Sequence, residues 1–291
     1  MLLIEIDAVM TLERKPSWLK IKLNLGESFA DVTKIVREHK LETICTSGKC
    51  PNLHECWSAG TATFMICGDV CTRSCKFCAT KTGRPLPLDP QEPANLAESV
   101  KLMKLRYVVI TSVDRDDLPD GGAAHWAACI SEIKRVNPAT RVEVLIPDFG
   151  ADTDLIDVVL TAKPDVVAHN LETIKRITPQ VRSRAIYSFS LDVLRHISAR
   201  GFAAKTGVMV GLGETFEEVV EVMQDAYAAG CVIFTIGQYL QPTLTHLPVV
   251  EYVHPDVFKK YKEAGEQIGL KQVVSGPLVR SSYHAAEFFQ E

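Results

Sequence analysis

The chain has 291 residues, 46% of them hydrophobic and 23% charged, and its 32 Lys and Arg against 36 Asp and Glu leave a formal net charge of −4. Such a length builds one large domain or two small ones around a substantial core, and an acidic total argues against a nucleic-acid binder, whose domains carry a basic face. No apolar run reaches the roughly 18 residues that cross a bilayer, and Glu5 and Asp7 interrupt an N-terminal stretch with no basic leader, so neither a membrane span nor a secretory signal is expected.

In chain order, residues 1–44 read as an N-terminal extension, with mixed sequence over Ser17–Leu23 and helical spacing over Ala30–His39. Residues 45–60 are rich in Cys, Gly, Pro and Asn and are expected to form a loop. From Thr63 a rhythm begins, in which short β-rich runs alternate with amphipathic stretches. The runs are Thr63–Cys67, Tyr107–Thr111, Val142–Ile146, Val166–His169, Lys205–Val210, Ile233–Gly237 and Gln272–Ser275. Between them the spacing predicts helices over Asn95–Leu105, Ala124–Val136, Asp152–Thr161, Tyr187–Arg200, Thr215–Ala229 and Pro255–Ile268. In the last of these, Lys259, Lys260 and Lys262 read as a solvated helix face.

That rhythm is the signature of an α/β protein with a parallel sheet, either doubly wound and open or curled into a barrel. The runs end in polar residues, as in VDRDD, HNLET and GLGET, and a barrel gathers such ends around one mouth. The expected fold is a partial or full (β/α) TIM-type barrel of about six parallel strands. Its bounds are 61–275, between an N-terminal extension (1–60) and a C-terminal tail (276–291).

Six of the nine cysteines form two triplets between residues 45 and 78, unlike the spread of a secreted disulfide scaffold, so a reducing, cytoplasmic compartment is expected. Cys71, Cys75 and Cys78 are spaced C-x₃-C-x₂-C. Three thiolates on a short loop can face three corners of an iron–sulfur cube and leave the fourth iron open to a ligand. Zinc usually takes four protein ligands, often as two C-x₂-C pairs, and only one such pair is present here. A frame starting at Cys67 is also possible, but Phe77 directly before Cys78 favours 71/75/78 and leaves Cys67 as a buried strand residue. The pattern C-x₃-C-x-φ-C, with φ aromatic, resembles the signature of the radical S-adenosylmethionine enzymes. The resemblance implies a [4Fe–4S] cluster whose open iron chelates S-adenosylmethionine and reduces it to methionine and a 5′-deoxyadenosyl radical.

Cys45, Cys50 and Cys56 are spaced C-x₄-C-x₅-C, with Gly48, Pro51 and Asn52 to turn the loop and His54 as a further donor nearby. With the tetrad Arg280-Ser281-Ser282-Tyr283, the two triplets resemble the lipoyl synthase family from about residue 40 onward. The resemblance implies that Cys45, Cys50 and Cys56 hold an auxiliary [4Fe–4S] cluster with Ser282, or Ser281 in its place, as fourth ligand. It implies sulfur insertion at carbons 6 and 8 of an octanoyl group amide-linked to a carrier-protein lysine, with two S-adenosylmethionine consumed and the auxiliary cluster giving up its sulfur. Implied carriers are 2-oxoacid dehydrogenase acyltransferase subunits and the glycine-cleavage H protein. Further implied partners are an electron donor such as ferredoxin or flavodoxin and an iron–sulfur cluster donor. A monomer is expected, since no coiled-coil pattern appears. The rival readings are another radical enzyme with an auxiliary cluster, such as a methylthiotransferase, and a non-catalytic electron carrier.

Among the polar strand ends, Thr111 and Asp114 are candidates to bind an amino group or a ribose, and Asn170 and Glu172 to meet the methionine or ribose end of the cofactor. Gly211 and Gly213 are expected to pass close to the adenosyl group; Phe216 stands where a dinucleotide fingerprint needs its third glycine. Arg184 and Arg195 read as surface ion pairs, and Cys129 and Cys231 as core residues.

Overall fold

The computed structural model describes residues 15–20, 28–39, 41–58, 63–182 and 184–282; Tyr283 of the tetrad lies outside them. The N-terminal part contains α1 (Ser28–Glu38), β1 (Glu42–Thr43), α2 (Ile44–Ser47) and α3 (Leu53–Ser58). Then come β2 (Thr63–Ile66), the short pair β3 (Val70–Cys71) and β4 (Lys81–Thr82), α4 (Glu92–Leu102), β5 (Tyr107–Ser112) and α5 (Ala123–Val136). The middle continues with β6 (Arg141–Leu145), α6 (Thr153–Thr161), β7 (Val166–Ala168), α7 (Thr178–Val181), α8 (Tyr187–Ala199) and β8 (Ala203–Val210). The last elements are α9 (Phe216–Ala228), β9 (Cys231–Gln238), α10 (Pro255–Ile268) and β10 (Gln272–Gly276).

The main sheet has eight strands in the order β1-β2-β5-β6-β7-β8-β9-β10. Seven of them run parallel, one more than about six, and β1 adds antiparallel to the edge of β2. The order follows the sequence without reversal, which separates a barrel from a doubly wound sheet. Right-handed crossovers taken in one direction put every helix on the same face. Among the described residues β1 and β10 remain edges, so the barrel is partial rather than closed.

Helix starts follow local chemistry. Thr215 and Glu218 form a capping box at α9, and His254 caps α10 ahead of Pro255. The helix expected from Asn95 begins at Glu92, because Pro93 is tolerated in a first turn. Residues 45–60, expected as a loop, instead carry α2 and α3. The Thr43 hydroxyl accepts the Thr46 N–H and starts α2, which is enough for a four-residue helix.

Residues two apart share a face of a strand, so the inner wall can be read in layers. The floor holds Lys205 and Glu143, both wholly buried, joined at 2.7 Å, with the Tyr107 hydroxyl donating to Glu143 at 2.6 Å. Above it Val109, Leu145, Gly207 and Thr235 line a cavity, and Thr111, Met209 and Gly237 form the next layer. The outer face packs Ile110, Val144 and Phe234 with helix residues Trp126, Ile130, Ile156 and Leu194 in one buried cluster. Strands buried on both faces are what a parallel sheet requires. No described helix is long and apolar enough to cross a membrane.

Candidate active site

The cavity at the C-terminal ends of the parallel strands has a volume of about 510 Å³. Cys71, Cys75 and Cys78 all line it, half-buried and free of disulfides. Their loop is fastened at several points. β3 and β4 pair Cys71 with Thr82, and the Gly83 N–H bonds the Cys71 carbonyl at 3.0 Å. The Thr72 N–H reaches the Asp114 carbonyl at 3.1 Å and the Lys76 N–H the Val181 carbonyl at 2.9 Å. From the segment after β9, the His246 Nε2–H bonds the Cys78 carbonyl at 3.0 Å and the Leu247 N–H the Lys76 carbonyl at 3.2 Å. The Cys71 Sγ accepts backbone N–H groups of Arg73 at 3.4 Å and Asp114 at 3.3 Å.

Burial pushes the Cys71 thiol up to about 11, helped by the Asp114 charge, and the Cys75 thiol up to about 12 against the pull of Arg182. These thiols are protonated at neutral pH, so metal binding must release protons. Three soft donors opening onto one cavity fit an iron–sulfur cluster. Orphaned polar atoms fit a polar ligand beside it: among the described residues the buried Asn170 Oδ1, Arg182 Nε and Ser281 Oγ have no hydrogen-bond partner, and all three residues line the cavity.

Cys45 and Cys50 line the same cavity, together with Arg280, Ser281 and Ser282. The C-terminal tail is tied there from across the sequence. The Thr63 hydroxyl donates to Ser282 Oγ at 2.8 Å, and Asn52 Nδ2 donates to the Leu278 carbonyl at 2.7 Å. Burial raises the Cys45 thiol, opposed by hydrogen bonding from Thr63. Burial and the Cys45 charge raise Cys50, and Arg280 opposes them. Cys56 sits on α3, half-buried against the core with its N–H on the Asn52 carbonyl, and is not among the lining residues. His54 stacks on Phe29 with ring centroids 5.3 Å apart and also stays off the lining.

Phe77, Thr111, Asp114, Asn170 and Glu172 all reach the cavity. Thr111 Oγ1 donates to the Leu145 carbonyl at 3.3 Å. Burial raises the Asp114 carboxyl, against Arg73. Asn170 Nδ2 donates to Glu172 Oε1 at 3.0 Å. Glu172 has φ +67°, a left-handed backbone that a non-glycine residue holds only at a cost, and its N–H and carbonyl are fixed on Gly207 and Met209 of β8. Burial pushes its carboxyl up and Arg182 pulls it down.

Gly211 and Gly213, expected near the adenosyl group, are not among the lining residues. They shape the turn after β8, where a Cβ on Gly211 would meet the Gln238 amide at 2.2 Å and the Glu251 carbonyl at 2.4 Å. Arg184 pairs with Asp116 at 3.2 Å and Arg195 with Asp192, both on the surface. Cys129 and Cys231 are core residues.

Sequence reasoning missed three lining residues. Arg73, inside the cysteine motif, grips Asp116 and Asp148 at 2.8 Å each and stands 3.4 Å from Asp114. Arg182 donates to the Asn170 carbonyl at 3.0 Å. His169 donates from Nδ1 to the Ile146 carbonyl at 3.0 Å and accepts the Ser190 hydroxyl at Nε2. The one available signal was proximity, since Arg73 and His169 adjoin motifs already singled out.

Comparison with known proteins agrees with this geometry. Residues 65–226 match the Radical SAM superfamily. A lipoyl synthase of Bacteroides fragilis (strain YCH46) is 62% identical over 272 residues, 94% of this chain and 94% of that protein. A lipoyl synthase of Treponema denticola is 55% identical over 273 residues, again 94% of each. Among solved structures, SuiB of Streptococcus suis bound to S-adenosylmethionine superposes with a TM-score of 0.59 at 9% identity, over 77% of this chain and 54% of SuiB. Methylornithine synthase superposes with a TM-score of 0.54 at 11% identity, over 86% of this chain and 82% of that one, so these two likenesses speak for the fold. The chain belongs to the lipoyl synthase family within the Radical SAM superfamily.

Proposed function

We propose that this chain is a lipoyl synthase that inserts two sulfur atoms at carbons 6 and 8 of an octanoyl group on a carrier-protein lysine. The observation that carries the reading is a single cavity lined by Cys71, Cys75 and Cys78 together with Cys45, Cys50 and Ser282. An alkyl C–H bond offers acid–base chemistry no proton to move at neutral pH, so radical chemistry is needed. When bound to Cys71, Cys75 and Cys78, a [4Fe–4S] cluster supplies the electron that cleaves S-adenosylmethionine to the hydrogen-abstracting radical. Around it, Asn170, Glu172 and Arg182 offer a zwitterion both an acceptor face and a donor face, and Phe77 and Met209 give the cavity apolar walls.

The auxiliary [4Fe–4S] cluster is the sulfur-donating substrate, held by Cys45, Cys50, Cys56 and Ser282. The Ser282 alkoxide is a harder partner for iron than thiolate, which suits a ligand that must leave. The Thr63 hydroxyl, which donates to Ser282 Oγ at 2.8 Å, supports that oxygen when it is free of iron. In this reading residues 1–60 and 276–291 carry the auxiliary cluster and 61–275 the radical chemistry. The carriers are the acyltransferase subunits of 2-oxoacid dehydrogenases and the glycine-cleavage H protein. The enzyme works as a cytoplasmic monomer, fed by ferredoxin or flavodoxin and refilled by a cluster-donor protein.

The test separates the two triplets. Cys71→Ala is expected to abolish 5′-deoxyadenosine formation from S-adenosylmethionine. Cys45→Ala is expected to keep part of that cleavage while ending sulfur insertion into an octanoylated carrier, read by mass spectrometry. Ser282→Ala is expected to leave the first cluster assembled. Doubly thiolated product from Cys45→Ala would refute the sacrificial role.

A further inference from the structure

Between β2 and the cysteine loop the chain reverses at Cys67, which is 2% exposed and left-handed, with φ +68°. A side chain with a Cβ is uncommon in that conformation, so the surroundings must impose it. Both polar groups of this residue are held by charged side chains. The Cys67 N–H donates to Glu92 Oε2 at 2.9 Å, and Arg115 Nη1 donates to the Cys67 carbonyl at 3.1 Å. Each charged group is itself fixed. His125 Nε2–H donates to Glu92 Oε2 at 2.6 Å, and Arg115 forks onto Asp117 at 2.8 and 2.9 Å. Glu92 opens α4, Arg115 and Asp117 follow β5, and His125 lies in the first turn of α5, so the start of α4 and both ends of the β5–α5 connection converge on one residue.

The convergence bears on the chemistry because of what adjoins it. Cys71 is four residues on, and one of the two N–H groups that its Sγ accepts belongs to Asp114, next to Arg115. We propose that Glu92, backed by His125, and Arg115, backed by Asp117, are positioning residues that lock the Cys67 turn and thereby aim Cys71 into the cavity. This rests on the reading that the 71–78 loop holds the cluster that binds S-adenosylmethionine.

The experiment uses the full chain with Glu92→Ala, Glu92→Gln and Arg115→Lys. In cluster-free protein, amide hydrogen exchange over 66–71 should be at least about tenfold faster in Glu92→Ala than in wild type, as loss of a charged hydrogen bond requires. After anaerobic reconstitution, Glu92→Ala should lose most of the change that S-adenosylmethionine makes in the low-temperature EPR spectrum, while iron at the 45–56 site is retained. Glu92→Gln keeps a carbonyl acceptor and should restore much of both. If Glu92→Ala fails to fold, Arg115→Lys, which keeps the charge but loses the fork on Asp117, should give the same two changes. A Glu92→Ala protein with only a lower melting temperature and an intact spectral response would overturn the proposal. So would a zinc ion bound at one per chain and lost in His125→Ala, because Glu92, His125 and Cys129 offer ligand atoms within 4.8 Å of one another and Glu92 would then serve a metal. If wild-type protein shows no spectral response at all, the cluster reading fails instead, and hydrogen exchange alone decides the clamp.

Discussion

Arg73 stands between two cysteines of the reactive loop and gathers carboxylates from two other strand-end loops. Burial would raise the Asp148 carboxyl, but hydrogen bonds and charge from Arg73 outweigh it and hold it at about 2. A folded value below the usual 3.8 means that the charged form stabilises the fold. That contribution is complete above about pH 4 and is lost as pH falls through about 2. Asp148→Asn is therefore expected to cost about 2 kcal/mol at pH 7, and the gap to wild type should shrink toward zero near pH 2, read by urea unfolding at each pH. Five of the six triplet cysteines line the cavity, and the triplets stood out because cysteine spacing is a local property of the sequence. Arg73, Arg182 and His169 did not, because an arginine or histidine acquires its role from what faces it. Ser282 became a candidate only through family resemblance; nothing in composition singles out one serine.

At the scale of elements, the alternation of runs and stretches located the seven parallel strands to within two residues at each end. That worked because short β-rich apolar runs and helical spacing are written locally. α2 and α3 escaped because four and six residues are too few to show a period, and tertiary ties such as Asn52 to Leu278 hold them in place. The segment after β9 escaped for the same reason: it is irregular, yet Tyr239, His246 and Leu247 fasten it over the cysteine loop. The contact between β9 and the tail is closer still. A Cβ on Gly237 would stand 2.1 Å from the Val279 carbonyl. Gly237→Ala is expected to push residues 278–282 off the sheet and to reduce iron bound at the 45–56 site by at least half, leaving the 71–78 cluster loaded, as Mössbauer and EPR spectra of the reconstituted protein would show.

At the scale of the molecule, the cavity is assembled from segments at both ends of the described chain and from most strand ends between. Iron binding should therefore stiffen regions far apart in sequence. Anaerobically purified protein is expected to contain about eight iron and about eight sulfide per chain, the sum of two cubanes. About four of each would leave one triplet without its cluster. The parallel α/β class was legible from the rhythm, whereas openness was not, because whether the edges meet depends on strand tilt and register.

The wholly buried Lys205–Glu143 pair under the cavity has a consequence for traffic. Taking away either partner alone would strand a charge in the interior at about 3–5 kcal/mol, so neither side chain can be lost singly without a large penalty. The cavity itself is lined by residues at the strand-end side of this pair. On the proposed function, cofactor and the tethered fatty chain therefore approach from the same side of the molecule as the cysteine loop.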